Sequence, residues 1–296
     1  MTDQGAKLRS LLTTAQPVVA PGTFNALFAR LIAEAGFPAV YLSGAGVANT
    51  LLGAPDLGMV TMSEMAGMAR HVCEAVDLPV IADGDTGYGG VHNVARTVAT
   101  YERAGVAAIQ LEDQAFPKKC GHFEGKVVVP AGEMLERIHA AREARSGPDG
   151  ILLIARTDAA GPLGLDEAIS RARAYGDAGA DVLFVEAPRS REDLQRIGRE
   201  LSEWPLVANM VEFGKTPLLA AEELVALGYS LVIFPGTITR TAVFAARAAL
   251  SEMAATGTTA GRLDQMASFQ DVNRIVGLED ANRWEQEIAR RASDSS

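Results

Sequence analysis

The chain alternates eight times between a short apolar run and a helical stretch, and this repeat constrains the fold more than any other feature. Four runs follow a helix end that closes on a glycine, which is typical of the left-handed helix cap. The other four runs close on an alanine. Short apolar runs of this kind are typical of buried parallel strands, and the two kinds alternate strictly. In chain order the runs cover residues 17–20, 39–42, 79–82, 107–111, 151–155, 182–185, 205–208 and 231–234.

Eight βα units of two alternating kinds predict an α/β fold, a closed (β/α)8 TIM barrel whose interior layers draw on alternate strands. An open, doubly wound sheet is the alternative, but it does not require eight units of two kinds. The 296 residues are enough for one large core, so we expect a single domain over residues 1–296. The charged segment at about 262–291 is predicted to form extra C-terminal helices that pack on a neighbouring subunit, in a homo-oligomer that is a dimer or a tetramer.

Composition excludes several classes of partner. The formal net charge of −10 argues against binding to nucleic acid or to an anionic membrane surface. Two cysteines are too few for a disulfide framework. No apolar run reaches the length of a membrane span, and residues 1–9 lack the apolar core of a signal peptide, so we expect a soluble, cytoplasmic protein. An anionic substrate would need fixed arginines or a metal ion to overcome the negative charge.

Polar groups stand at the ends of seven of the eight predicted strands. In a TIM barrel the active residues lie at the carboxyl ends of the strands, which share one rim. We therefore expect these groups to line one active site. They are Tyr41, Ser43, Gly44 and Ala45 at the second run, Asp83 and Asp85 at the third, Glu112 at the fourth, Arg156 at the fifth, Glu186 at the sixth, Asn209 at the seventh and Arg240 beyond the eighth.

Four carboxylates suggest a metal site. Asp83 and Asp85 flank one glycine, so both carboxylates can face one point, and Glu112 and Asp56 would complete an all-oxygen shell. Hard cations such as Mg²⁺ suit such ligands, with Mn²⁺ as a possible substitute, whereas zinc prefers His or Cys. An isolated Asp-Gly-Asp sequence is more often an ordinary polar turn. Its position at a predicted strand end, with Glu112 at the next, favours the metal site.

A second candidate centre is the cysteine at position 120. It lies in the run Pro-Lys-Lys-Cys-Gly-His at residues 117–122, where cationic neighbours favour the thiolate and a glycine lets the backbone approach a ligand. A surface loop with one thiol is the alternative. Residues 117–129 are long for a βα loop and contain Gly121 and Gly125, so we expect a mobile lid.

The segment Ser43-Gly44-Ala45-Gly46 resembles part of a dinucleotide-binding fingerprint. Asn49 stands where the third glycine is required, and no acidic ribose ligand is evident, so this interpretation is weak. A tight turn that offers backbone N–H groups to a carboxylate fits the sequence better.

Four motifs carry a resemblance to a known family. They are Asp-Gly-Asp-Thr-Gly-Tyr-Gly at 83–89, Leu-Glu-Asp-Gln at 111–114, Lys-Lys-Cys-Gly-His at 118–122 and Asn-Met-Val-Glu-Phe-Gly at 209–214. Together they closely resemble the isocitrate lyase/phosphoenolpyruvate mutase superfamily, from about residue 8 to about residue 285. Within it the chain looks most like the short 2-methylisocitrate lyases. The cysteine motif is typical of the carbon–carbon lyases and the carboxyphosphonoenolpyruvate mutases close to them, and not of the decarboxylase and hydrolase branches.

The resemblance implies a Mg²⁺-dependent, retro-aldol-type cleavage of a 2-hydroxy di- or tricarboxylate to pyruvate and succinate or a related acid. Tyr41 would take or relay the hydroxyl proton, and Cys120 would protonate the carbanion of the leaving acid. Lys119 and His122 would tune Cys120. In the same way Ser43, Gly44 and Ala45 with Arg156 would hold the metal-bound carboxylate, and Glu186, Asn209, Gly121 and Arg240 would contact the rest of the substrate.

Departures from the family pattern leave the substrate open. Tyr41 matches the lyases, and Arg240 matches an arginine that binds a distal carboxylate in methylisocitrate lyases. A second distal arginine is replaced by Ser268-Phe269, and a usual threonine by Val211. A 2,3-dimethylmalate-type substrate is therefore one alternative, and carboxyphosphonoenolpyruvate mutase-type formation of a P–C bond is another. A non-catalytic barrel is least favoured, because the carboxylates and Cys120 are all present.

Overall fold

Eight parallel strands form a nearly closed barrel. In the computed structural model the described residues are 4–119 and 121–294, so Cys120 lies outside them. Neighbouring strands pair in the order β6-β5-β4-β3-β2-β1-β8-β7, and an isolated parallel bridge between Leu183 and Leu206 joins the two ends. This confirms the predicted TIM barrel, and the open-sheet alternative is wrong. The strands are β1 (Val18–Thr23), β2 (Val40–Leu42), β3 (Val80–Asp83), β4 (Ala108–Glu112), β5 (Leu152–Thr157), β6 (Val182–Val185), β7 (Val207–Asn209) and β8 (Leu231–Phe234).

Helices alternate with the strands, and several begin at side-chain caps. Thr61 and Glu64 form a reciprocal capping box at the start of the helix Met62–Ala75, and Ser190 accepts a hydrogen bond from the Asp193 N–H at the start of the helix Arg191–Glu200. The helices are α1 (Gln4–Leu12), α2 (Ala26–Glu34), α3 (Gly44–Val47), α4 (Met62–Ala75), α5 (Val91–Arg103), α6 (Ala131–Ala144), α7 (Leu165–Asp177), α8 (Arg191–Glu200), α9 (Ala221–Ala226), α10 (Thr237–Thr256), α11 (Phe269–Ile275) and α12 (Leu278–Asp294). A π-helical turn (Ala48–Leu52) extends α3, and a 3₁₀ turn (Ala260–Gln265) precedes α11.

The core has two layers, because alternate residues of each strand point to opposite sides. In β5, for example, Leu152 and Ile154 pack inside the barrel, whereas Leu153 packs in the outer layer between strands and helices. Helix α1 contributes Leu8 to the inner layer, and a side chain at Gly5 would collide with the Gly150 carbonyl. The interior is therefore a packed core, which leaves the carboxyl rim as the place for a site.

The chain forms two compact units, one ending at Thr239 and the other beginning at Arg240. The first holds the barrel. The second holds most of α10 together with α11 and α12, which are the extra C-terminal helices that the sequence predicts. The single-domain organisation and the packing on a neighbouring subunit stay predictions. Among the residues described, no helix combines the length and apolar character needed to cross a membrane.

Candidate active site

Charged and polar side chains converge at the carboxyl rim, as the sequence predicts. Glu112 ends β4, Arg156 is the penultimate residue of β5, and Glu186 directly follows β6. All three are buried, and Glu186 is 0 % exposed. Burial of so many charges is costly unless they are paired, so their contacts determine what the site can bind.

Arg156 is held by carboxylates at the carboxyl ends of three strands. Its Nε and Nη2 donate to the two oxygens of Asp158 at 2.9 and 3.0 Å, a bidentate pair. Its Nη1 lies 3.3 Å from Glu186 Oε2, and its Nε lies 3.5 Å from Glu112 Oε2. Burial works against the charged guanidinium, but Asp158, Glu186 and Glu112 raise the pKa of Arg156 above its usual range. Arg156 therefore stays a cation at the rim.

Asn209 and His122 lie next to Glu186 at the rim. Asn209 Nδ2 donates to it at 3.0 Å, and His122 Nε2 lies 3.3 Å from it without forming a hydrogen bond. His122 Nδ1 accepts from the Lys215 N–H at 3.1 Å, so the neutral ring carries its proton on Nε2. Burial lowers the pKa of His122, although Glu186 opposes this shift. His122 Nε2 and Asn209 Oδ1 are both buried without a hydrogen-bond partner among the described residues, so both can bind a ligand.

A lysine that the sequence reasoning did not place in the site stands among the acidic residues. Lys118 is 3 % exposed, and its Nζ lies 2.5 Å from Asp56 Oδ1 and 2.8 Å from Asp85 Oδ1. Burial raises the pKa of Asp85 to about 6 against the effect of Lys118, and Asp83 adds to this rise. Burial also raises the pKa of Glu112 well above its usual range. The cluster therefore holds more buried negative charge than one ammonium neutralises.

The donor set of this cluster fits a hard divalent cation. Among the described residues no three side chains of the metal-binding types form a ready-made ligand group, and Lys118 pairs with two of the carboxylates. However, Glu112 Oε1 is buried without a hydrogen-bond partner in the part of the chain that the structure describes, and a Cβ at Gly44 would lie 2.7 Å from Asp83 Oδ2. These carboxylate oxygens carry negative charge that the nearby cations do not fully neutralise. Such oxygens are ligands that suit Mg²⁺ or Mn²⁺. The assignment of Asp83, Asp85, Asp56 and Glu112 as ligands stays a prediction.

The Ser43-Gly44-Ala45 segment is the start of a helix. Ser43 Oγ accepts from the Gly46 N–H at 3.1 Å and caps α3, so the predicted tight turn is a helix N-terminus. The first N–H groups of a helix have no acceptor within the helix. Those of Gly44 and Ala45 are therefore suited to a carboxylate, although their role stays a prediction.

Tyr41 lies inside the barrel, below the charged groups. Its hydroxyl donates to Gln110 Oε1 at 3.3 Å, and Gln110 Nε2 is buried without a partner in the described chain. Burial, and then the charge of Asp83, raise the pKa of Tyr41 well above its usual range. The phenol is therefore neutral at rest, which favours a proton relay over a resident base.

The loop that carries Cys120 lies against this site. A Cβ at Gly121 would come within 2.3 Å of Arg156 Nη2 and 2.7 Å of Glu186 Cγ, so only glycine fits there. Lys119 Nζ donates to the Gly125 carbonyl at 3.0 Å, within the loop itself. The proposed roles of Lys119 and Cys120 stay predictions, as does that of Arg240, which belongs to the second unit.

Comparisons with known proteins place this architecture in a family. The family profile described as phosphoenolpyruvate phosphomutase matches residues 8–254. A 2,3-dimethylmalate lyase of Eubacterium barkeri is 46 % identical over 284 residues, which cover 96 % of this chain and 98 % of that protein. A 2-methylisocitrate lyase of Aeropyrum pernix is 42 % identical over 290 residues, covering 98 % and 92 %.

Solved structures agree. An oxaloacetate acetylhydrolase bound to the inhibitor 3,3-difluorooxalacetate matches with a TM-score of 0.93 and 39 % identity, covering 97 % of each chain. A phosphonopyruvate hydrolase in complex with oxalate and Mg²⁺ matches with a TM-score of 0.86 and 30 % identity, covering 97 % of this chain and 99 % of that one.

Proposed function

The chain belongs to the phosphoenolpyruvate mutase/isocitrate lyase superfamily, and we propose that it is a Mg²⁺-dependent carbon–carbon lyase. Its substrate is a 2-hydroxy di- or tricarboxylate of the 2-methylisocitrate type, which it cleaves to pyruvate and succinate or a related acid. One observation carries this proposal. The backbone of Gly121, the residue after Cys120, lies directly against Arg156 and Glu186, so the cysteine motif and the carboxylate-binding arginine belong to one site.

The residues divide the reaction among themselves. Arg156 and the N–H groups at the start of α3 hold the substrate carboxylate, Glu186, Asn209 and Gly121 contact the rest, and Lys119 and His122 tune Cys120. The 2-hydroxyl loses its proton through Tyr41 to solvent, its oxygen becomes the carbonyl oxygen of pyruvate, and the C2–C3 bond breaks. The electron pair stays on C3 of the leaving acid, which takes a proton from the Cys120 thiol.

A metal ion completes the charge balance. Asp83, Asp85 and Glu112, with Asp56 at the edge, would hold Mg²⁺, which supplies a Lewis acid for the developing negative charge on oxygen. The related phosphonopyruvate hydrolase structure that contains oxalate and Mg²⁺ supports this choice.

A 2,3-dimethylmalate-type substrate is the second candidate. By the resemblance, Val211 and Ser268-Phe269 replace a threonine and a second distal arginine of methylisocitrate lyases, and both changes would remove polar contacts for a distal carboxylate. The 46 % identity to a 2,3-dimethylmalate lyase points the same way. Mutase-type formation of a P–C bond is less favoured, since the phosphoryl group of its substrate needs a binding site of its own.

Pyruvate release from a substrate panel tests the proposal. We expect Mg²⁺-dependent release from 2-methylisocitrate, loss of release in EDTA, and recovery when Mg²⁺ is added back. Release from 2-methylisocitrate would mean that Arg240 suffices without a second arginine. Release only from 2,3-dimethylmalate would favour the second candidate. Oxalate from oxaloacetate would indicate a hydrolase, silence across the panel would favour the mutase, and full activity in metal-stripped enzyme would refute the metal's role.

We also propose a cytoplasmic homo-oligomer assembled through the C-terminal helices. No residue of α10, α11 or α12 is buried, and their large apolar side chains Phe244, Phe269 and Trp284 are 79, 81 and 66 % exposed. Such surfaces are typical of subunit interfaces. Light scattering on the full chain should give the mass of a dimer or tetramer; a stable monomer at micromolar concentration would contradict the proposal.

A further inference from the structure

The peptide groups on the two sides of Cys120 are each held by a buried side chain from the base of the same loop. On the N-terminal side this buried side chain is that of Gln114, which is 1 % exposed. Its Nε2 donates to the Lys119 carbonyl at 2.8 Å, and its Oε1 accepts from the Lys119 N–H at 2.9 Å. The Gln114 side chain therefore forms hydrogen bonds with both the N–H and the carbonyl of Lys119, as a neighbouring strand would.

On the C-terminal side the buried side chain is that of Lys126. Its ammonium donates to the Gly121 carbonyl at 2.5 Å and to Asp158 Oδ1 at 2.7 Å, and its side chain is 4 % exposed. Asp158 is itself fixed by Arg156 and by its own N–H, which donates to Asp113 at 2.8 Å. Lys126 thus joins the loop to the carboxylate that orients the substrate-binding arginine.

Gln114 and Lys126 both lie near the hydrogen-bonded base of the loop. Gln114 and Val128 form an antiparallel bridge, and the Val129 N–H donates to the Asp113 carbonyl at 2.8 Å. Gln114 and Lys126 are therefore fixed at the base of the loop and reach inward to its middle. A lysine needed only as a surface ion pair would have no reason to be buried or to bind a backbone carbonyl as well.

We propose that Gln114 and Lys126 are positioning residues that clamp the loop at Lys119 and Gly121, on both sides of Cys120, and so hold Gly121 against Arg156 and Glu186. The proposal rests on the proposed function, in which Cys120 is the proton donor. Neither residue is assigned a role in the chemistry itself. Loss of either clamp lets the loop open, and the reacting groups lose their alignment.

Two independent readouts test the clamp in the full-length protein. Limited trypsin digestion, followed by mass spectrometry, reports how often the Lys119–Cys120 bond becomes accessible. Steady-state kinetics with the substrate found by the panel report kcat and KM separately. The variants are Lys126→Met, Lys126→Arg and Gln114→Met. Glu124→Gln is the matched control, since Glu124 lies in the same loop and forms an exposed ion pair with Lys215.

We expect Lys126→Met and Gln114→Met to speed cleavage roughly tenfold or more, because loss of a buried hydrogen bond raises the population of the open loop. We expect kcat to fall by about 100-fold with little change in KM, since small misplacement of reacting groups carries that cost. Lys126→Arg should recover much of the parental resistance to cleavage and of the parental kcat. Glu124→Gln should match the parent in both measurements.

Parent-like cleavage in both Met variants would overturn the clamp, as would faster cleavage with an unchanged kcat. If Lys126→Met does not fold, Gln114→Met decides, because it removes no charge. A parent with no turnover on any substrate would refute the proposed function instead, and the cleavage rates would still report on the clamp.

Discussion

Replacement of Cys120 by alanine is expected to lower kcat by roughly 10²–10⁴-fold, the usual contribution of a positioned general acid. In the proposed mechanism the carbanion of the leaving acid needs a proton, and the cysteine supplies it. Cys120→Ser should lose nearly as much, because a serine hydroxyl is a far weaker acid than a thiol. Pyruvate release coupled to lactate dehydrogenase measures the loss, and circular dichroism checks that the barrel remains folded.

The other cysteine provides the control. Cys73 lies on α4 and faces Gly105, which precedes β4, so it stands at the opposite end of the barrel from the rim. Burial raises the pKa of Cys73 to about 12, which keeps this thiol protonated and unreactive. Cys73→Ala should therefore retain parental turnover. If Cys120→Ala also kept most of its pyruvate release, Cys120 would not be the proton donor of the cleavage.

The barrel and much of its rim are predictable from the sequence because they depend on local patterns. The apolar run at 151–155 becomes β5, and its carboxyl end delivers Arg156 to the rim. Strand periodicity and chain direction are sufficient for that step. The same reasoning predicts that Asp83, Glu112 and Glu186 lie at the rim. Each stands at the end of an apolar run, and strands that are consecutive in the sequence are also adjacent in the sheet.

Two lysines of the site, Lys118 and Lys126, are not predictable in this way, because they come from a loop and pair with residues far away in sequence. Lys118 binds Asp56 across 62 residues, and Lys126 binds Asp158 across 32. Neither lysine follows a strand or a helical period. The one available signal was charge balance. Four carboxylates directed at one rim require positive charge, and the segment 117–129 holds three lysines close to the end of β4.

Replacement of Lys118 by methionine is expected to destabilise the metal-free protein by about 3–5 kcal/mol, the usual cost of removing one partner from a buried ion pair. Methionine preserves the length of the side chain but leaves Asp56 and Asp85 without their cation. Urea unfolding in EDTA measures this loss. Lys215→Met is the matched control, since its exposed partner Glu124 limits the expected change to about 1 kcal/mol or less.

Mg²⁺ should reverse much of the loss at Lys118. A divalent ion on Asp83, Asp85 and Glu112 returns positive charge to the cluster, so the variant should gain more stability from Mg²⁺ than the parent does. Equal gains would mean that the ammonium and the metal ion act on separate groups of carboxylates, and the proposed ligand set would be wrong. A larger gain in the variant would mean that both cations neutralise the same buried charge. Because Lys118 stands two residues before Cys120, occupation of the metal site would then bear directly on the position of the loop.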